Sequence, residues 1–249
     1  MNDAIVVELY TEIMEGRYIM RISGLQKLTL LDYPGKMAAI VFLHGCNFLC
    51  PFCHNGSLVT ENDIQDEIKE EELFAFLNKR RNILDGIVIS GGEPLLQHDT
   101  PDLIKKIKEL GYFVKLDTNG SFPERLEDVI KSGAVDYIAM DIKNSKKKYS
   151  ETVGRKDFDI KPIEKSVEIL KSADIPYEFR TTVVKEFHNE NDFYEIGKWL
   201  EGADRYFLQV YKDSDGVIMK GLNPPNVDKL QKMREISRNF ISEVEIRGI

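Results

Sequence analysis

From residue 38 to residue 246, apolar runs of strand length alternate with amphipathic stretches of helix length. The first strong strand, 38–43, is Ala-Ala-Ile-Val-Phe-Leu and runs into a loop rich in cysteine. A helix is predicted over 70–82, with Leu73, Phe74 and Leu77 on one face, and a strand over 86–90. The next helix carries its own punctuation: Thr100 as N-cap, Pro101 at the first helical position, Gly111 past the end, and Leu103, Ile104, Ile107 and Leu110 as the buried stripe. Strands then follow over 113–117, 137–142, 177–184, 206–211 and 244–246, separated by helices over 123–131, 162–171, 192–201 and 227–239. Six or seven β-then-α units require parallel strands joined by right-handed crossovers, hence a doubly wound sheet or a barrel. No linker, repeat or low-complexity tract interrupts them, so residues 20–249 read as one domain.

Strand patterning separates the two architectures. Strands of an open parallel sheet are buried on both faces and apolar throughout. Here Lys115, Asp117 and Asn119 oppose Val114 and Leu116; Asp141 and Lys143 oppose Met140 and Ile142; Glu178, Arg180 and Thr182 oppose Tyr177, Phe179 and Val183. Burying so many polar groups unpaired would cost about 1–3 kcal/mol each. They are expected to face a wet or ligand-filled lumen, with the C-terminal members at the mouth where barrel enzymes work. The alternative is that some are edge strands with a solvated face. Either way the prediction is α/β, an incomplete (β/α)6-type parallel barrel (a partial TIM barrel).

The chain carries 42 acidic and 34 basic residues, a formal charge of −8, which disfavours nonspecific nucleic-acid or anionic-membrane binding. The basic run Lys146-Lys147-Lys148 reads as a solvated loop. No apolar stretch approaches the roughly 20 residues of a membrane span. Asp3 and Glu8 stand where a signal peptide would be basic, so a cytoplasmic protein is expected. Residues 1–19 precede a second methionine, Met20, and read either as an extra N-terminal element or as sequence ahead of the true start.

Three cysteines, Cys46, Cys50 and Cys53, fall within eight residues, spaced C-x3-C-x2-C. An odd, clustered set in a reducing compartment is a poor disulfide framework and points to metal. An iron–sulfur cube normally takes four thiolates, so three leave one iron without a protein thiolate, which suits a cluster that chelates its substrate. The rival is a Cys3His zinc site. His54 is awkwardly adjacent to Cys53, whereas His44 is conceivable.

The cysteine loop, with Phe52 before the last cysteine, is followed at the next strand by Ser90-Gly91-Gly92-Glu93-Pro94. Together these resemble the signature of the radical S-adenosylmethionine superfamily and its GGE motif. The wording Cys53-His54-Asn55, then Leu116-Asp117-Thr118-Asn119-Gly120, then Met140-Asp141-Ile142-Lys143, is similar to the glycyl-radical-enzyme activating proteins. Leu30-Leu31-Asp32-Tyr33-Pro34-Gly35, with the cysteine loop itself, is most similar to the activators of anaerobic ribonucleotide reductase. The resemblance runs from about Gly24 and weakens after Lys212.

That resemblance implies a radical SAM fold, and a [4Fe–4S] cluster on Cys46, Cys50 and Cys53 that reductively cleaves S-adenosylmethionine to generate a glycyl radical on a partner enzyme. It implies cofactor contacts from Phe52, Cys53 and His54, from Gly91, Gly92 and Glu93, and from Asp141, Ile142 and Lys143. Asp117 and Asn119 are cofactor ligands or turn residues; Arg180 binds the cofactor carboxylate or pairs with Glu178; Asp141 and Lys143 bind cofactor or pair with each other. His98 and His188 are expected at the surface, and no counterpart of the family's late histidine is found near Gln209–Tyr211. The implied partners are a glycyl-radical enzyme, with anaerobic ribonucleotide reductase foremost, and a low-potential electron donor such as flavodoxin or ferredoxin. Action on a small molecule or modified nucleoside is the alternative.

Overall fold

The computed structural model describes residues 20–60 and 67–249, so the predicted extension 1–19 lies outside the described residues. The chain forms two compact units.

The first unit takes the described residues up to Asn47, Ser57–Thr118 and Glu124–Ile138. It contains strands β1 (Ile22–Thr29) and β2 (Ala38–Leu43), helix α1 (Glu70–Arg80), strand β3 (Gly86–Gly91), helix α2 (Thr100–Glu109), strand β4 (Phe113–Thr118), helix α3 (Pro123–Lys131) from Glu124 on, and the first residues of β5 (Tyr137–Asp141). Strands β2, β3 and β4 pair in parallel, with Leu43 opposite Gly91 and Gly86 opposite Phe113. Their Ala39, Val41, Ile87, Val88, Ile89, Val114 and Leu116 are wholly buried. Strand β1, which the hydrophobic pattern did not reveal, runs antiparallel to β2, with register shifts on either side of its centre. Gln26, Lys27 and Leu28 in its second half are exposed, so no alternation marks it.

Helix α2 shows where local rules hold and where they yield. Leu103, Ile104 and Ile107 are buried as predicted, each contributing about 1.5–3 kcal/mol relative to exposure. Gly111, at φ +91°, closes the helix by donating its N–H to the Lys108 carbonyl at 2.9 Å. Thr100 is not the N-cap: Asp99 holds that position, and the buried Thr100 hydroxyl instead donates to the Pro94 carbonyl at 2.6 Å. A tertiary hydrogen bond has displaced the local cap.

The second unit takes Phe48–Gly56, Asn119–Pro123 and Ala139–Ile249. Its elements are the remainder of β5, helix α4 (Lys161–Ser172), strand β6 (Tyr177–Val183), helix α5 (Glu190–Trp199), strand β7 (Arg205–Val210), helix α6 (Val227–Ser237) and strand β8 (Glu243–Arg247). Strands β6, β7 and β8 are parallel, with Phe179 opposite Tyr206 and Arg205 opposite Glu243. Helix α5 starts two residues earlier than predicted, because Asn189 and Asp192 form a reciprocal capping box. Among the described residues no helix is long and apolar enough to cross a membrane.

The polar strand faces predicted from sequence are buried or half-buried, and their charged groups are satisfied by pairing. Lys115 is 1% exposed and ion-paired with Asp117. Glu178 is fully buried and meets Arg247 in a fork, at 2.8 and 2.9 Å. The Arg247 guanidinium also lies 3.4 Å over the Phe207 ring. Bidentate geometry together with stacking is what arginine supplies and lysine does not.

Candidate functional site

In the first unit, β2 delivers the chain to His44, Gly45 and Cys46, and β3 delivers Gly91, Gly92 and Glu93 beside them. The Gly92 N–H donates to the Leu43 carbonyl at 3.0 Å, and the Glu93 N–H to the Gly45 carbonyl at 2.9 Å. A β-carbon on Gly92 would stand 1.9 Å from the Gly45 oxygen and 3.1 Å from the Cys46 β-carbon. One on Gly91, at φ +128°, would stand 2.2 Å from the Leu43 oxygen. The paired glycines thus let β3 press its backbone against the strand end that carries Cys46.

Glu93 is fully buried. Its Oε1 accepts from the Leu95 N–H at 3.0 Å and from the Thr118 hydroxyl at 2.8 Å, which caps the 3-10 turn Pro94–Leu96 and ties it to the end of β4. Asp117 pairs with Lys115 and accepts from the Ser90 hydroxyl at 3.4 Å. His44 is buried; desolvation first, then the Arg21 charge, lowers its pKa to about 4, so it is neutral at physiological pH. Its Nδ1 meets the Ser23 hydroxyl at 3.2 Å, and its carbonyl accepts from the Gln97 amide at 2.8 Å.

In the second unit, Cys50 and Cys53 share a turn closed by the Cys53 N–H on the Cys50 carbonyl at 3.0 Å. Phe52 between them is buried against Phe187 and His188, ring centroids 5.6 and 6.3 Å away. Late residues strap the same loop: His54 Nε2 to the Lys212 carbonyl at 2.7 Å, the Gly56 N–H to Gly216 at 3.0 Å, the Met219 N–H to Pro51 at 2.8 Å. The His54 ring also lies 5.5 Å from Tyr211. Asn119 takes the turn role, accepting from the Ser121 N–H at 2.9 Å ahead of Gly120.

At the end of β5, Asp141 is flanked by Lys143 at 2.9 Å and Arg180 at 2.8 Å. The pairing of Asp141 with Lys143 is therefore realised, whereas Arg180 joins Asp141 rather than Glu178, which Arg247 takes. Burial opposes the Asp141 charge, yet the two cations hold its carboxyl well below the usual range. Burial pushes the Cys50 thiol up to about 12 and also raises Cys53, while the Lys143 charge works against the rise at both. The ammonium is thus placed to favour the thiolate forms that metal ligation requires.

His188 is not the surface residue expected. It is 5% exposed, with Nδ1 3.1 Å from the Val184 N–H and Nε2 2.9 Å from the Lys143 carbonyl. The Val184 amide only donates, so Nδ1 accepts and Nε2 carries the proton. Burial lowers its pKa, in keeping with that neutral tautomer. His98 is exposed beside Arg125, as expected.

None of the three cysteines is in a disulfide, and among the described residues no three His, Cys, Asp or Glu side chains already stand together as a metal-ligand set. The donor chemistry nonetheless suits an iron–sulfur cluster: soft thiolates on one loop, a lysine charge favouring ionisation at two of them, and a glycine cradle bringing backbone to the third.

Residues 40–200 match the model of the radical SAM superfamily. A Methanocaldococcus jannaschii protein assigned as a glycyl-radical enzyme activating enzyme is 38% identical over 234 residues, 92% of this chain and 96% of its own. Pyruvate formate-lyase-activating enzyme of Clostridium pasteurianum is 33% identical over 129 residues, half of this chain and 52% of its own. Among solved structures, a radical SAM methyltransferase from Sphaerobacter thermophilus superposes with a TM-score of 0.69, covering 89% of this chain and 69% of its own at 14% identity, a likeness of fold alone. The α/β fold class read from the sequence is thereby borne out. Enzymes of this family work with a [4Fe–4S] cluster and S-adenosylmethionine. The chain is a radical SAM enzyme, of the family that includes the glycyl-radical enzyme activating enzymes.

Proposed function

We propose that this protein generates the glycyl radical of a partner enzyme, and that the partner is an anaerobic ribonucleotide reductase. The observation that carries the activase reading is the 38% identity to the assigned activating enzyme along nearly the whole of both chains. The choice of ribonucleotide reductase rests on the wording of residues 30–35 and of the cysteine loop.

In this reading Cys46, Cys50 and Cys53 hold the cluster, and its fourth iron is left to the amino and carboxylate groups of S-adenosylmethionine. When bound, the cluster supplies the electron that cleaves the sulfonium and so yields the hydrogen-abstracting radical. The chain's own residues bind and orient. Phe52, Cys53 and His54 contribute ring and backbone contacts; Gly91 and Gly92 offer backbone toward the amino group; Glu93 acts by fixing the turn that follows them. Asp141, Ile142 and Lys143 line another side. Arg180 and Lys143 outnumber Asp141, a local excess of positive charge suited to a carboxylate. No residue of the chain is required to move a proton in the cleavage.

The test is electron paramagnetic resonance of the reconstituted protein, reduced with S-adenosylmethionine and mixed separately with anaerobic ribonucleotide reductase and pyruvate formate-lyase. A glycyl doublet on the reductase alone is expected. A doublet on the lyase alone would change the partner; no doublet on either, with 5′-deoxyadenosine still formed, would favour a small-molecule or nucleoside substrate.

A further inference from the structure

The run Lys146-Lys147-Lys148, read from sequence as a solvated loop, borders a surface depression of about 320 Å³ lined by Ser145, Lys146, Lys147, Glu195, Lys198 and Trp199. Lys146, Lys147 and Lys198 are exposed, so with Glu195 on the rim and Glu164 beside Lys146 three cations meet two carboxylates, a net excess of one positive charge. Lys146 sits 5.0 Å over the Trp199 ring and 2.5 Å from Glu164 on α4. This is a local inversion of sign on a chain of net charge −8.

Behind Trp199 the packing is aromatic. The Trp199 ring lies 6.1 Å from Tyr149, edge-on at 71°. Tyr149 is 1% exposed and lies 6.5 Å from Phe48, again edge-on, with Phe158 wedged against both rings at 5.6 and 5.2 Å. Phe48 is itself buried and stands two residues before Cys50. The column therefore joins a cationic surface depression to the cysteine loop within one compact unit.

Resting on the iron–sulfur reading above, we propose that this face is the docking site of a small acidic one-electron carrier protein, and that Trp199, Tyr149 and Phe48 lead from it to the cysteine loop. Redox encounters are small and weak, and gain their speed from electrostatic steering. An acidic carrier is repelled by the chain as a whole and drawn to a patch of inverted sign, which orients the encounter. In the transfer, the carrier's centre is oxidised by one electron and the loop's cluster is reduced by one; no bond forms or breaks.

The experiment follows bleaching of the reconstituted full chain in stopped flow, using a pre-reduced acidic ferredoxin and, separately, dithionite. Lys147→Glu with Lys198→Glu is expected to raise the half-saturating ferredoxin concentration about tenfold at low ionic strength, with the difference vanishing at high salt. Lys79→Glu with Arg81→Glu, in a second exposed basic run, is expected to change nothing. Trp199→Leu should slow the limiting rate while Trp199→Phe, which keeps a ring, retains it. Dithionite, which needs no docking, should reduce every variant at the wild-type rate. Unchanged half-saturation in the Lys147/Lys198 variant, or an equal loss in the Lys79/Arg81 control, overturns the docking site; an unchanged limiting rate in Trp199→Leu overturns the path. Absence of dithionite-reducible iron in the wild type would instead overturn the iron–sulfur reading on which the proposal stands.

Discussion

Gly92→Ala places a methyl group where the structure has no room for one. Its β-carbon would be 1.9 Å from the Gly45 oxygen and 2.6 Å from the Gly45 carbonyl carbon, both backbone atoms with no rotamer in which to retreat. An ordinary carbon–oxygen contact is well over an ångström longer, so either β3 or the Gly45-Cys46 peptide must shift by about that much. Overpacking of this kind costs about 1–3 kcal/mol in stability. A displacement of about 1 Å at a reacting centre can cost about a hundredfold in rate, so activity should suffer more than folding does. Gly24→Ala is the control: its β-carbon meets only Phe42 side-chain atoms, at 3.5 Å and beyond, and should be tolerated. Urea midpoints of the metal-free proteins, followed by S-adenosylmethionine cleavage after reconstitution, measure both effects. A Gly92→Ala protein with wild-type midpoint and cleavage would refute the close approach between β3 and the cysteine loop.

Further outcomes follow from pairing and burial. Arg247→Met leaves the buried Glu178 carboxylate without its fork and should destabilise the chain by about 3–5 kcal/mol; adding Glu178→Met should recover much of the loss, and strict additivity in that double-mutant cycle would contradict the pairing. His44 and His188 are held neutral in the fold, with lowered pKa values, so the unfolded chain binds more protons below its histidine pKa near 6.5. Stability of the metal-free protein should therefore fall as pH drops from 6.5 toward 4, with His44 alone contributing about 2 kcal/mol of loss at pH 5; a urea midpoint that holds or rises from pH 7 to pH 5 would contradict it. Asp141→Asn removes the anion between Lys143 and Arg180 and should weaken S-adenosylmethionine binding together with stability, read by cofactor titration and thermal melts; unchanged values for both would show that the trio positions nothing.

Much of this fold was legible because its strands obey a simple rule. Continuous apolar runs such as 38–43 and 86–90 bury both faces, and their bounds were found within a residue. Strand β1 was not legible, since its second half is solvated and its pairing is antiparallel, a relation no local period encodes. Thr100 misled because capping preference is local, while the Pro94 carbonyl that takes its hydroxyl comes from the preceding turn. At the candidate site, the cysteine spacing and the glycine pair were visible as chemistry. Partners were not: Arg180 had Glu178 two residues away on its own strand face and chose Asp141, because Arg247 on β8 claims Glu178. His188 looked like a loop residue and is buried, its role set by a carbonyl 45 positions earlier.

The most direct test of the account is the electron paramagnetic resonance spectrum of anaerobically reconstituted, dithionite-reduced protein, recorded before and after S-adenosylmethionine is added. One four-iron cluster per chain is expected, with a signal that changes on addition and with loss of that cluster in Cys46→Ala, Cys50→Ala and Cys53→Ala alike. Iron-free protein, or a signal indifferent to S-adenosylmethionine, would contradict a three-thiolate site whose remaining iron receives the cofactor.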